Sequence, residues 1–177
     1  MEPSVISEPK RHASFGLFIY LNMKRILSLP YAMYQVSLKI IFRDRLGRIL
    51  MLKAVPWGSM PGYYDLPGGR INKTELRVSL SRLIRREIRE ELGSKIKYTL
   101  HEVPVGFGRH EYFSKKLKKK MPVIWILFGA TYHGGPIKIS HEHLGFEWKK
   151  INIRNINTYF TKGALQVVKN SLTHKLD

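Results

Sequence analysis

The run Val123 to Tyr132, VIWILFGATY, constrains the fold more than any other part of the chain. It is uncharged and almost wholly apolar, which marks a central strand of a sheet, covered on both faces. Other strands are needed beside it. Tyr34 to Phe42, YQVSLKIIF, is β-branched and apolar. Arg43 to Gly47 supplies turn chemistry, and Ile49 to Ala54 reads as the returning strand of a hairpin. Pro56, Gly58, Pro61 and Gly62 mark a loop before a short strand over Tyr63 to Leu66. Further strands are expected over Lys95 to Gly108, with a break at Pro104, over Ile137 to Ile139 and over Phe146 to Ile151. The last two flank a loop from Ser140 to Gly145. Two helices complete the pattern. Ser79 to Leu92 carries an apolar stripe at Leu80, Ile84, Ile88 and Leu92 and ends at Gly93, and a second helix is expected over Gly163 to Leu172. Strands, a helix, more strands and a helix predict an α+β domain, a mixed sheet covered by helices, over residues 31–177, with residues 1–30 as an N-terminal extension.

A chain of 177 residues can bury a full core as one domain. It has no cysteine, which excludes disulfides, thiolate metal sites and a cysteine nucleophile. Any metal must be held by oxygen or imidazole, which favours Mg²⁺ or Mn²⁺. Thirty-one Lys and Arg face thirteen Asp and Glu, a net charge of +18. Such a surface attracts anions, RNA among them, although charge speaks to association and not to chemistry. The basic run Lys115 to Lys120, KKLKKK, reads as a solvated loop, with guidance of polyphosphate or RNA as the alternative. No stretch approaches the length of a membrane span, so no membrane partner and a cytoplasmic location are expected.

Against that basic background three carboxylates are crowded together: Glu87, Glu90 and Glu91. At about 100° per residue the spacing i, i+3, i+4 puts them on one narrow helix face, beside the apolar stripe and at the edge of the core. Like charges there repel, near a helix C-terminus where negative charge is already unfavourable. Arg86 offsets part of this by pairing with Glu90. The cluster is poor for stability and suited to a hard divalent cation.

The run from Leu66 to Gly93, LPGGRI…REIREELG, resembles the signature box of the Nudix hydrolase family. There, a Gly is followed after five residues by Glu, and after seven more by Arg-Glu-aliphatic-x-Glu-Glu-x-Gly-aliphatic. Gly69, Arg86, Glu87, Ile88, Glu90, Glu91 and Gly93 match in type and order. Downstream, the apolar strand followed by IKISHEHLGFEWKKI, with Glu142, Glu147 and Trp148, is similar as well. Two positions depart. Glu75 stands at the family spacing after Gly69, but ten residues rather than seven separate it from Arg86, as a three-residue insertion would produce. Glu75 is then expected either to fold back or to lose its role. Ser94 stands where the family has an aliphatic residue.

The resemblance implies a Nudix-type α/β/α sandwich that hydrolyses a diphosphate linkage in a nucleoside diphosphate derivative: a nucleotide sugar, ADP-ribose, a dinucleoside polyphosphate or a (d)NTP. It implies Mg²⁺ or Mn²⁺ held by Glu87, Glu90, Glu91 and the Gly69 carbonyl, and a homodimer, as in many relatives. Arg86 is expected to position a glutamate, with direct phosphate contact as the alternative. The general base is open between Glu91, within the box, and Glu142, which His141 and His143 flank. Arg70, Tyr64 and Tyr112 are the candidate substrate contacts, with Tyr63 and Phe113 beside them. A competing reading makes the chain an RNA-binding protein, or an RNA 5′-end pyrophosphohydrolase, on the same scaffold.

Overall fold

The computed structural model describes residues 32–58, 60–114 and 117–173, and residues 34–177 form a unit separate from residues 1–33. The extension expected over residues 1–30 therefore lies outside the described residues, as do Lys115 and Lys116 of the basic run. Among the described residues there are six strands: β1 (Gln35–Arg43), β2 (Ile49–Ala54), β3 (Tyr64–Asp65), β4 (Lys97–Ser114), β5 (Lys119–Gly134) and β6 (His143–Lys149). Two helices accompany them, α1 (Leu80–Leu92) and α2 (Lys162–Thr173). The strands form one sheet in the order β3-β2-β1-β5-β4, with β6 also paired to β2. Only β1 and β5 run parallel; every other pairing is antiparallel, so the sheet is mixed. No helix of the described residues is long and apolar enough to cross a membrane.

Alternation along the strands builds two cores. On one face Leu38, Ile40 and Phe42 of β1, Leu50 and Leu52 of β2 and Phe128 and Ala130 of β5 pack against Leu83, Ile84, Ile88 and Leu92 of α1. On the other face Ile41, Met51, Val123, Trp125 and Leu127 pack against Ala164, Val167 and Val168 of α2. A helix on each face of a buried mixed sheet is the α/β/α sandwich that the resemblance implies, and β5 is its covered central strand.

Several boundaries differ from expectation. Pro104 does not end β4; it sits in a bulged stretch between His101 and Gly106, and the strand continues to Ser114. Lys119 and Lys120, expected in a loop, are already strand, paired with Ser114 and Phe113. They are strand because the partner strand β4 continues far enough to pair with them. Ile137 to Ile139 is not a strand: there the Lys138 N–H donates to Leu92 O (2.9 Å) and the Ser140 N–H to Glu91 O (3.2 Å). This segment thus satisfies the last carbonyls of α1, which the helix itself leaves unpaired. Gly93 ends α1 as predicted, at φ 88°, with its N–H on Arg89 O.

β1 and β2 meet only at the Arg43–Ile49 end and then diverge. The segment Pro67 to Ile71 lies along β1 in the gap. Leu38 N–H donates to Gly69 O (2.9 Å), Ile40 N–H to Pro67 O (2.8 Å) and Ile71 N–H to Val36 O (3.0 Å). This strap carries the glycines of the box and forms one wall of a cleft.

Candidate active site

The cleft has a volume of about 610 Å³. Gly68, Gly69 and Arg70 of the strap, Arg86, Glu87, Glu90 and Glu91 of α1, and Glu142 and His143 at the start of β6 line it. Of the sequence-predicted residues Tyr64, its neighbour Tyr63 and His141 are not in its lining. Tyr64 packs edge-on against Tyr159 at 5.8 Å, with its N–H on Tyr159 O. Its ring joins the apolar core below α2. With β3 only two residues long, alternation along the strand is too short to assign Tyr64 to the core in advance.

Helix α1 buries its residues in pairs one turn apart: Leu83 with Ile84, Glu87 with Ile88, Glu91 with Leu92. Glu87 and Glu91 thus lie inside the buried arc and not at its edge, at 9% and 6% exposure, while the Glu90 side chain is 55% exposed. Leu80, expected on the core stripe, is exposed, because the first turn of α1 projects beyond the core.

Each carboxylate has a distinct set of partners. Glu91 Oε2 accepts from Gly68 N–H at 2.6 Å, and Glu91 Oε1 lies 3.2 Å from His143 Nε2. Glu87 and Glu90 both hold Arg86, at 2.8 and 2.7 Å. Glu75 folds back to the same guanidinium at 3.1 Å while its other oxygen accepts from Asn72 N–H, so ten intervening residues do not prevent it from reaching Arg86. Arg86 therefore binds three glutamates. Burial acts to lower its pKa, but the carboxylates around it raise it above the ordinary value. Burial raises the Glu87 carboxyl, with Arg86 opposing and Glu91 and Glu90 adding to the rise.

The Gly69 carbonyl, expected as a metal ligand, is engaged elsewhere: it accepts from Leu38 N–H and from Ser37 Oγ at 3.2 Å, because the strap pairs with β1. The absence of a side chain at Gly69 matters more. A Cβ there would stand 2.5–2.6 Å from the Glu87 carboxylate, so glycine keeps the space beside that carboxylate open. At Gly68 (φ 124°) a Cβ would meet Leu38 O at 2.1 Å.

The fit of a divalent cation rests on these contacts. Among the described residues no three acidic or imidazole groups are drawn together at metal-holding distance, since Glu90 is turned toward Arg86 and Glu91 toward Gly68 and His143. The donor set is nonetheless all-carboxylate apart from His143, with two like charges buried side by side and open space next to Glu87. That chemistry suits a hard cation.

Sequence reasoning missed the floor of the cleft. Lys39, at 6% exposure in the middle of β1, donates to Asp65 Oδ2 (2.9 Å), Leu66 O (3.0 Å) and Gly68 O (3.0 Å). It anchors the strap to the sheet. A lysine inside the apolar run YQVSLKIIF was the available signal, since lysine is almost never buried without partners. Trp125 and His110 stand next to it: Lys39 Nζ is 5.2 Å from the Trp125 ring, which is 5.1 Å from the His110 ring. Arg70 lies over the Tyr112 ring at 4.6 Å, and both bond Gln35 Oε1. His141 is exposed and does not line the cleft.

No family model matches the chain. The nucleoside triphosphatase NudI of Escherichia coli O139:H28 (strain E24377A / ETEC) is 28% identical over 119 residues, spanning 61% of this chain and 82% of that protein. NudI of Shigella flexneri serotype 5b matches to the same extent. The crystal structure of the MutT protein from Methanosarcina mazei Go1 superposes with a TM-score of 0.54 at 28% identity, covering 73% of this chain and 83% of that one. A Nudix hydrolase from Nitrosomonas europaea shares the fold, with a TM-score of 0.51 at 15% identity over 78% of this chain and 88% of its own. With the glycines of the strap and the Arg86–Glu91 run of α1 sharing one cleft, the chain is similar in sequence and fold to Nudix hydrolases.

Proposed function

We propose that this chain hydrolyses a phosphoanhydride linkage in a nucleotide, with Mg²⁺ or Mn²⁺ held by Glu87, Glu90 and Glu91. The observation that carries the reading is the pair of buried carboxylates, Glu87 and Glu91, facing one cleft with the glycine strap. A buried like-charge pair costs stability, and a cation that neutralises it accounts for its presence. When bound, the metal neutralises phosphate charge and lowers the pKa of water. The protein side of the work divides as follows. Arg86 positions Glu87 and Glu90 through its ion pairs. Gly68 N–H and His143 fix the rotamer of Glu91. Both oxygens of Glu91 are thus engaged, whereas Glu142 is exposed at the cleft and has no hydrogen bond to another described side chain. Glu142 is the carboxylate better placed to take the proton from the attacking water as the new P–O bond forms and the anhydride P–O bond breaks. Arg70, backed by Tyr112, provides the cationic edge for substrate phosphate.

Nucleoside triphosphates head the substrate list because the sequence relatives are nucleoside triphosphatases. The test is phosphate or pyrophosphate release from a panel of nucleoside triphosphates, nucleotide sugars, ADP-ribose and dinucleoside polyphosphates, with Mg²⁺ and with EDTA. Metal-dependent release from at least one class supports the reading, and its absence throughout refutes it. A second reading, an RNA 5′ end as substrate, is favoured by Arg82, Arg85 and Arg89, which expose a basic stripe on α1 beside Glu90. It requires faster release from a 5′-triphosphorylated oligoribonucleotide than from the free nucleotide, with an advantage that fades as salt rises.

A further inference from the structure

The cleft extends past the carboxylates. Glu91 bonds Gly68, Gly68 bonds Lys39, Lys39 lies over Trp125, and Trp125 leans on His110. Val123, Trp125, Tyr112 and His110 line this inner part on the α2 side of the sheet. This aromatic part belongs to the same cleft as the carboxylates, the arrangement expected of a seat for a flat heterocycle whose phosphates reach back to α1.

His110 is the polar group there whose bonding is incomplete. It is 5% exposed, and its Nδ1 has no hydrogen-bond partner among the described residues. That nitrogen is closed off by Gly163, where a Cβ would stand 2.9 Å from it. An N–H at Nδ1 would be a buried donor without an acceptor, which is tolerated less well than a bare lone pair. The tautomer that avoids this carries its proton on Nε2, in a residue that lines the cleft. Burial holds the ring below its ordinary pKa; Asp65 and Glu111 oppose, and Lys39 and Lys162 add to the fall, so the neutral ring is favoured. His110 therefore offers the cleft a single N–H donor.

We propose that His110 is a specificity-determining residue whose Nε2–H donates to an exocyclic oxygen of the nucleobase, selecting 4-oxo pyrimidines and 6-oxo purines. Uracil O4 and hypoxanthine or guanine O6 accept a hydrogen bond, whereas cytosine and adenine present an amino group at the same place and set donor against donor. The inference rests on the nucleotide-hydrolase reading above.

The experiment compares matched pairs, dUTP with dCTP and dITP with dATP, by kcat/KM at saturating Mg²⁺. A buried donor left facing a donor predicts a preference of about tenfold to a hundredfold for the oxo member of each pair. His110→Phe, which keeps the ring packed on Trp125 and removes the donor, should bring each pair to within about threefold, chiefly by slowing the oxo member. His110→Gln, which keeps an N–H donor, should retain part of the preference. Nitrogen-15 shifts of the wild-type imidazole should report the Nε2–H tautomer whether or not a variant folds. Equal turnover within the wild-type pairs, a preference that survives His110→Phe, or an Nδ1–H tautomer each overturns the assignment. No turnover of any nucleotide overturns instead the hydrolase reading beneath it, so the two failures are told apart.

Discussion

Replacing Glu91 by glutamine separates the chemistry of the cleft from its architecture, because the two respond in opposite senses. The side chain keeps its shape. Its carbonyl oxygen can still accept from Gly68 N–H, now as a neutral partner in place of a carboxylate at 2.6 Å, a loss of about 1 kcal/mol. Its amide then faces His143 Nε2, whose Nδ1 has no partner among the described residues, so one nitrogen of that pair is poorly satisfied. Against these losses, a buried negative charge beside Glu87 disappears, and repulsion and desolvation cost go with it. The terms oppose and are of similar size, so the unfolding free energy in urea should change by less than about 1.5 kcal/mol. Turnover should fall by a factor of about 10²–10³ or more, the usual cost of removing one preorganised electrostatic group. The assay is kcat on the best nucleotide at saturating Mg²⁺, with urea unfolding of the same preparation. A folded Glu91→Gln enzyme with near-wild-type turnover would refute the assignment of the α1 carboxylates, and a variant that merely unfolds would show that the residue is structural. Glu142→Gln, run alongside, should lose somewhat less than Glu91→Gln; unchanged turnover in that variant would refute its assignment as the base.

Three further outcomes follow from the same contacts. Mg²⁺ or Mn²⁺ at about a hundredfold excess over Kd should stabilise the fold by about 2.7 kcal/mol, raising Tm by several degrees in calorimetry, and Glu87→Gln should suppress the rise; a Tm indifferent to both ions contradicts the site. Gly68→Ala must move either the strap or β1, since its Cβ would stand 2.1 Å from Leu38 O at a φ of 124°, and should cost about 3 kcal/mol or more in urea unfolding; a silent substitution would mean the strap does not sit on β1. Lys149 and Lys53, each 2.6 Å from Glu147, lower its pKa to about 2. With an ordinary value of 4.5 when unfolded, this stabilisation is present above pH 4.5 and is lost as the pH falls toward 2, so the stability gap between wild type and Glu147→Gln should close over that window and not at neutral pH.

What could be read from the chain and what could not divide along a physical line. Alternation and amphipathic spacing report which residues share a face, so β1, β2, β5 and both helices were legible, and so was the grouping of Glu87, Glu90 and Glu91. Spacing does not report how deep a face lies. Nothing in i, i+3, i+4 distinguishes Glu91, at 6% exposure, from Glu90, which reaches out to Arg86. Contacts between segments distant in the chain were less legible still. The Gly69 carbonyl belongs to β1 because the strap pairs there, and Ile137 to Ile139 gives up strand pairing because the end of α1 needs donors. Lys39 carried a readable signal, a cation within an apolar strand. His110 carried none, since its role depends on Gly163, far away in the chain, closing one ring nitrogen.

The cap on α1 has a mechanical consequence. The backbone that donates to Leu92 and Glu91 through Lys138 and Ser140 leads, within three residues, to His143, which returns to the Glu91 side chain. Helix end, cap and the root of β6 form a closed ring of bonds, which ties Glu91 and His143 to the end of α1. Amide exchange should be slow and concerted around that ring. Tyr112 and Phe113, on the β4–β5 hairpin, line the same cleft outside that ring of bonds.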